Sequence, residues 1–136
     1  MRGVDDSFMR LFHYIGGQNT ATQKIAMTTP VFMTGAATTA TMAFVMPKTM
    51  RVDATPKPTN PQVGVNSIPA GTFAVIRFSG GRSGLNEANA VAALATWMKR
   101  QSLQPVGDPV FGYFDPPWTP AFLRRNEAML RVAPAR

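Results

Sequence analysis

Apolar positions recur along the chain with two different periods, and these periods divide it into elements. Phe8, Leu11, Phe12 and Ile15 fall at i, i+3, i+4 and i+7, one stripe of a helix. Asp6 or Ser7 can cap its start and Gly16-Gly17 stops it, so a short helix is predicted over residues 7–15. A loop follows over 18–23. Residues 25–33 read as a strand broken or bent near Pro30, because proline cannot donate to a ladder. The small, polar run 34–41 reads as a turn or loop. Met42, Phe44 and Met46 then alternate, which predicts a strand over 41–46 that Pro47 ends.

Pro56, Pro58 and Pro61 hold residues 51–61 as an extended linker with few ladder donors. Residues 63–68 read as a short strand. The clearest strand is 73–79, where Phe73-Ala74-Val75-Ile76-Arg77-Phe78 is rich in β-formers. Gly80-Gly81 and Gly84 make a loop. Residues 86–101 read as a helix with Val91, Leu94, Ala95 and Met98 as its buried stripe. A strand over 110–114, a proline-locked loop over 115–120 and a last strand over 127–132 complete the reading. The class is α+β. A length of 136 residues supports one core and not two, so a single domain over 1–136 is expected.

The order of elements contains a repeat. The second half reads strand, helix, strand, strand; the first reads helix, strand, strand. A strand matching 73–79 is expected ahead of Asp6, and this sequence does not supply one. An unpaired sheet edge is the expected consequence, and a second copy of the chain would cover it. A homo-oligomer is therefore an expectation.

Composition narrows the chemistry. A 45% hydrophobic and 15% charged chain folds. Cysteine is absent, which excludes disulfides, thiolate metal sites, Fe–S clusters and cysteine nucleophiles. Fourteen Lys and Arg against seven Asp and Glu give a net charge of +7. The basic residues are scattered, with Lys99-Arg100 and Arg124-Arg125 the tight groups, and no nucleic-acid motif accompanies them. A carboxylate-bearing small molecule or an anionic surface fits the charge instead. No apolar run approaches the roughly 18 residues of a membrane span, and Met1 to Asp6 has no apolar leader, so a soluble protein is expected, with the compartment left open and the cytoplasm slightly favoured. Gly80-Gly81-Arg82-Ser83-Gly84 fits neither phosphate-loop pattern and reads as a tight turn. With no recognisable catalytic spacing, no enzymatic activity is expected.

Several blocks, in order, resemble one family. They are Leu11-Phe12-His13-Tyr14-Ile15-Gly16-Gly17-Gln18-Asn19, Lys24-Ile25-Ala26-Met27-Thr28-Thr29-Pro30-Val31 and Met42-Ala43-Phe44-Val45-Met46-Pro47. Pro56-Lys57-Pro58-Thr59-Asn60-Pro61 follows, then Tyr113-Phe114-Asp115-Pro116-Pro117-Trp118-Thr119-Pro120 with Arg124-Arg125-Asn126-Glu127. Together they resemble the SOUL heme-binding proteins. The resemblance implies a distorted antiparallel β-barrel of two βαββ-like repeats with two flanking helices. It also implies heme, or another tetrapyrrole, in a shallow apolar cleft between the first helix and the Asp-Pro-Pro-Trp loop. By position it lines that cleft with Phe8, Phe12 and His13 from the helix and with Trp118 and its neighbour Phe122 from the loop. The family's N-terminal strand is the piece this sequence lacks, which leaves the barrel unclosed.

Each candidate has two readings. His13, the only histidine, lies about 100° around the helix from Phe12, with Met9 four residues before it. A neutral imidazole is a good axial ligand for heme iron and methionine a weaker one; the other reading is a surface histidine with no metal. Phe8 and Phe12 are core, cleft wall or both. Trp118 is a stacking platform for a porphyrin or a lid over the core edge. Heme propionates need cations, for which Arg10, Arg124 and Arg125 are candidates, unless Arg125 pairs with Asp115 or Glu127. The expected function is a heme or tetrapyrrole carrier or buffer. The alternative is a protein- or membrane-interaction module using the basic surface and the exposed sheet edge.

Overall fold

The first amphipathic stripe becomes helix α1, Arg2–Ile15, in a computed structural model of the chain. The structure describes residues 2–34, 41–81, 83–115 and 118–134, with residues 2–6 as backbone alone. Most of the predicted loop at 34–41, Arg82 of the predicted tight turn, and Pro116-Pro117 of the rigid loop lie outside the described residues. After α1 come β1 (Val31–Thr34), β2 (Thr41–Phe44), β3 (Phe73–Phe78), α2 (Gly84–Arg100), β4 (Pro105–Tyr113) and β5 (Asn126–Val132). Short 3-10 turns occupy Val52–Ala54 and Ala121–Leu123.

The five strands form one antiparallel sheet in the order β2-β1-β4-β5-β3. The sheet does not close, so the architecture is α+β, a distorted and open barrel. The repeat is visible in its pairing: β3 lies beside β5 in the second half, and the corresponding place in the first half is the outer edge of β2. Both helices lie over one face of this sheet. Directly paired residues of antiparallel strands point to the same side, and the registers link Met42 and Phe44 to Met33 and Val31, then to Phe111 and Tyr113, and on to Ala128 and Asn126. Phe44 meets Phe8 of α1, whereas Tyr113 donates a short hydrogen bond to Glu87 of α2.

Two clusters hold the helices down. Leu94 and Met98 of α2 are at most 1% exposed and pack on Ala74 of β3 and Leu130 of β5. Tyr14 and Ile15 of α1 pack with Ile25, and Phe44, Met46, Met50, Val63 and Val65 close the edge of that cluster. Ser83 caps α2, its hydroxyl accepting from the Asn86 amide at 3.1 Å. Gly80 has φ +107, a conformation that favours glycine, and a Cβ there would also come within 2.8 Å of the Asn86 side-chain nitrogen Nδ2.

Several expectations change: α1 begins at Arg2 and not at residue 7, β4 at Pro105 and not at residue 110, and β2 ends at Phe44 and not at residue 46. Residues 63–68 form no strand, since Val63 and Val65 are spent on the α1 cluster and Pro69 follows. The strand expected over 25–33 begins only at Val31, after a cis Thr29–Pro30 bond; its first part, Ile25, instead donates its amide to the Ile15 carbonyl at 2.7 Å. The buried stripe of α2 takes in Ala90 and leaves Ala95 exposed, because Ala90, Leu94 and Met98 recur every four residues along one face.

Candidate functional site

The helices do not cover the sheet evenly. Among the described residues α1 packs against β2 alone, and α2 against β3, β5 and β4. Neither touches β1. From β2 to β5 is three strand spacings, about 14 Å, against the 8–10 Å between helices in contact. The interhelical slot is the strip of the helix-bearing face that carries Val31 and Met33 of β1 and Phe111 of β4, all half-buried.

One wall of the slot is aromatic. Phe8 meets Phe44 edge-on with ring centroids 5.5 Å apart, and Phe12 stacks on Phe8 at 6.0 Å and 17°. The ladder runs from the sheet outward, and it ends in Phe12, which is 47% exposed. Met9 and His13 sit further round the same helix and are also exposed. His13 makes no hydrogen bond or ion pair through its side chain among the described residues, so its imidazole is free to turn. Arg10 points to the other flank, where its guanidinium donates to the Ser7 hydroxyl at 3.0 Å.

The connection between β4 and β5 leaves the sheet from the row that holds Tyr113, Val31 and Phe44. It thus lies at the same end of the sheet as one end of the slot. Its shape is set by Asp115, whose carboxylate accepts the Arg125 amide at 2.5 Å and pairs with the Arg125 guanidinium at 3.9 Å. The Gly80 amide donates to the Ala121 carbonyl at 2.9 Å and ties the connection to the start of α2. Trp118 and Phe122 project from it, 83% and 78% exposed.

So the structure brings Phe8 and Phe12 together, keeps Met9 and His13 beside them, and gives Trp118 and Phe122 no ring contact with α1 among the described residues. Arg125 has the ion-pair partner expected of the structural reading, Asp115, yet stays 63% exposed. The floor residues were not legible as site residues, although the alternation of Val31 with Met33 and of Phe111 with Tyr113 was their signal. Two buried asparagines also escaped the sequence reading. Asn19 bonds four backbone groups at the end of α1. Asn126 donates to the Gly80 carbonyl at 3.0 Å.

The residues fit a flat apolar group that brings its own metal ligands. Among the described residues no three His, Cys, Asp or Glu side chains converge. A heme carries four equatorial nitrogens and asks the protein for one axial ligand and an apolar slot. No helix of the described residues is long and apolar enough to cross a membrane. No curated protein matches the chain. The family model of the SOUL heme-binding protein matches residues 1–131. The chain belongs to the SOUL heme-binding protein family, and heme is the ligand this membership gives it.

Proposed function

We propose that the chain is a heme carrier or buffer, and not a catalyst, which seats the macrocycle edge-on in the slot between α1 and α2. The observation that carries this reading is the strip of sheet over β1 on which neither helix backbone lies, walled on one side by the Phe8–Phe12 stack. A flat ring needs about 3.5–4.0 Å to the atoms on each side. Bound heme would supply an iron that His13, exposed on α1, would hold, with Met9 as the weaker donor. Trp118 and Phe122 would fold against the exposed rim of the ring. The exposed Arg125 guanidinium would take a propionate in exchange for its long contact with Asp115.

Titration with hemin tests this. A Soret band shifted and sharpened from that of free hemin, saturating at one equivalent, is the expected result. A spectrum identical to free hemin at all ratios overturns it.

A second reading has one specific observation behind it, the outer edge of β2, which no described strand covers. In this reading the edge and the basic surface take a protein or an anionic membrane, and a second copy of the chain is the simplest strand donor. Light scattering at several concentrations and salt levels tests it; a monomer under all of them removes it.

A further inference from the structure

Trp118 and Phe122 are the two most exposed large apolar side chains among the described residues, at 83% and 78%, and Leu123 is 59% exposed. All three stand on the β4–β5 connection, within one run of six residues. Their exposure does not come from an untethered backbone. Arg124 Nε donates to the Thr119 carbonyl at 2.8 Å, the Leu123 amide to the Pro120 carbonyl at 2.9 Å and the Gly80 amide to the Ala121 carbonyl at 2.9 Å. The Arg125 amide donates to the Asp115 carboxylate at 2.5 Å. A braced turn thus holds three large apolar groups in water, where each is less stable than it would be in an apolar medium. The charges beside them are uneven. Asp115 is the only acidic residue from Phe114 to Arg125, and its side chain is 18% exposed against 63% for that of Arg125. Arg124 adjoins it, in a chain of net charge +7.

We infer that this turn is a membrane-docking surface, and that its partner is the boundary between headgroups and acyl chains of an anionic bilayer. Indole and guanidinium groups both favour that boundary, with the apolar body inward and the polar end in water. Side chains this exposed have no groove around them for a partner protein to fill. A bilayer needs none, because lipid chains close around whatever enters. The two arginines match its negative surface. No helix of the described residues is long and apolar enough to cross a membrane, so insertion by this turn is shallow. Three apolar side chains with two cations should hold about as well as a single acyl chain, reversibly and with half-binding at lipid on the order of 0.1 mM. The inference does not rest on the heme reading. That reading folds Trp118 and Phe122 onto a bound macrocycle, so the test uses the chain without hemin. The surface is also separate from the β2 edge.

Co-sedimentation of the full chain with vesicles tests the inference. One set is phosphatidylcholine alone, the other phosphatidylcholine with about one-third phosphatidylserine. Binding to the mixed vesicles is expected, weakened at least about fivefold on phosphatidylcholine alone or in about 0.5 M salt. Trp118→Ser combined with Phe122→Ser is expected to weaken it at least about tenfold, and Leu123→Ser about threefold. Ile68→Ser, at a residue 64% exposed outside the connection, should leave it unchanged. In a Trp97→Phe chain the emission of Trp118 should shift to the blue when mixed vesicles are added. No binding at about 5 mM mixed lipid overturns the inference. Binding that the double variant keeps within about twofold overturns it too, since the attachment would then be through charge alone. Self-association that the double variant abolishes, without vesicle binding by the parent, would assign the turn to a second copy of the chain instead. Should the double variant fail to fold, an unshifted Trp118 emission overturns the inference equally.

Discussion

Phe8 on α1 meets Phe44 on β2 edge-to-face, with 5.5 Å between ring centroids, and by this contact the helix that carries the candidate site is held to the sheet. Phe12 stacks on the other side of Phe8 and reaches solvent. The two phenylalanines should therefore separate stability from binding. Phe8→Ala is expected to cost about 2 kcal/mol, from lost burial and the ring pair. Phe12→Ala, exposed to begin with, should cost less than about 1 kcal/mol, yet weaken hemin at least fivefold. Urea unfolding and Soret titration of both variants check this. Equal effects on both quantities would contradict the division of labour.

His13 can be read apart from the slot. With no side-chain hydrogen bond among the described residues to hold it, its removal should leave the fold intact. His13→Ala is expected to shift the Soret maximum of the hemin complex and to weaken binding about tenfold. An unchanged spectrum would remove His13 as the ligand and leave the slot standing. A further change on adding Met9→Ala to that variant would show methionine ligation instead.

Much of this was legible in the sequence, and the failures have physical causes. The stripes of α1 and α2 repeat every three to four residues over several turns, so both helices were readable. The strand of Phe73–Phe78 was readable from its β-branched and aromatic run. What could not be read was anything decided across the chain. Val63 and Val65 look like strand residues until Tyr14 and Ile15 claim them for a cluster. Trp118 was readable as a loop aromatic and Phe12 only as core or cleft wall, because the slot is a gap between helices, and a gap leaves no local pattern. Asn19 looks like a loop residue; its burial at 4% exposure shows up only once Tyr14 and Gln23 surround it.

Asn19 is accordingly a sensitive position. Its amide donates to the carbonyls of Tyr14 and Gln23 at 3.0 and 2.8 Å, and its oxygen accepts from the amides of Ala21 and Gln23. Asn19→Ala leaves these buried backbone groups without partners and should cost about 3 kcal/mol. Asn19→Asp keeps the two accepting contacts, loses both donations, and sets a charge beside two carbonyls, so it should cost at least as much. Denaturant unfolding of the two variants measures this. A loss under about 1 kcal/mol in both would show that the loop at the end of α1 rearranges freely.

Tyr14 gives a pH dependence. Burial raises its pKa above the ordinary 10, and its hydroxyl donates to the Pro56 carbonyl at 2.5 Å. The folded state thus holds the phenol proton more tightly than the unfolded chain does. Stability from this group is complete below about pH 10 and declines as pH rises through the raised value. Tyr14→Phe should cost about 1 kcal/mol at neutral pH through the lost hydrogen bond, and should flatten the decline above pH 10. Thermal melts of parent and variant from pH 8 to 11 test the sign; parallel curves would contradict it.

The location of the ligand can be decided from the floor of the slot. Met33 lies on β1 between Met42 and Phe111, on the helix-bearing face but under neither helix. Enlarging a residue in a filled core costs about 1–3 kcal/mol through strain. Met33 is half-buried and no helix backbone lies on its strand, so Met33→Trp should fall at the low end of that range, about 1 kcal/mol. The indole would instead occupy the space the macrocycle needs, and hemin affinity should fall at least about tenfold, or 1.4 kcal/mol. A site on the outer face of α1, centred on Met9 and His13, would not sense this change. Hemin affinity kept within twofold in a folded Met33→Trp variant would therefore move the ligand out of the slot and onto that outer face.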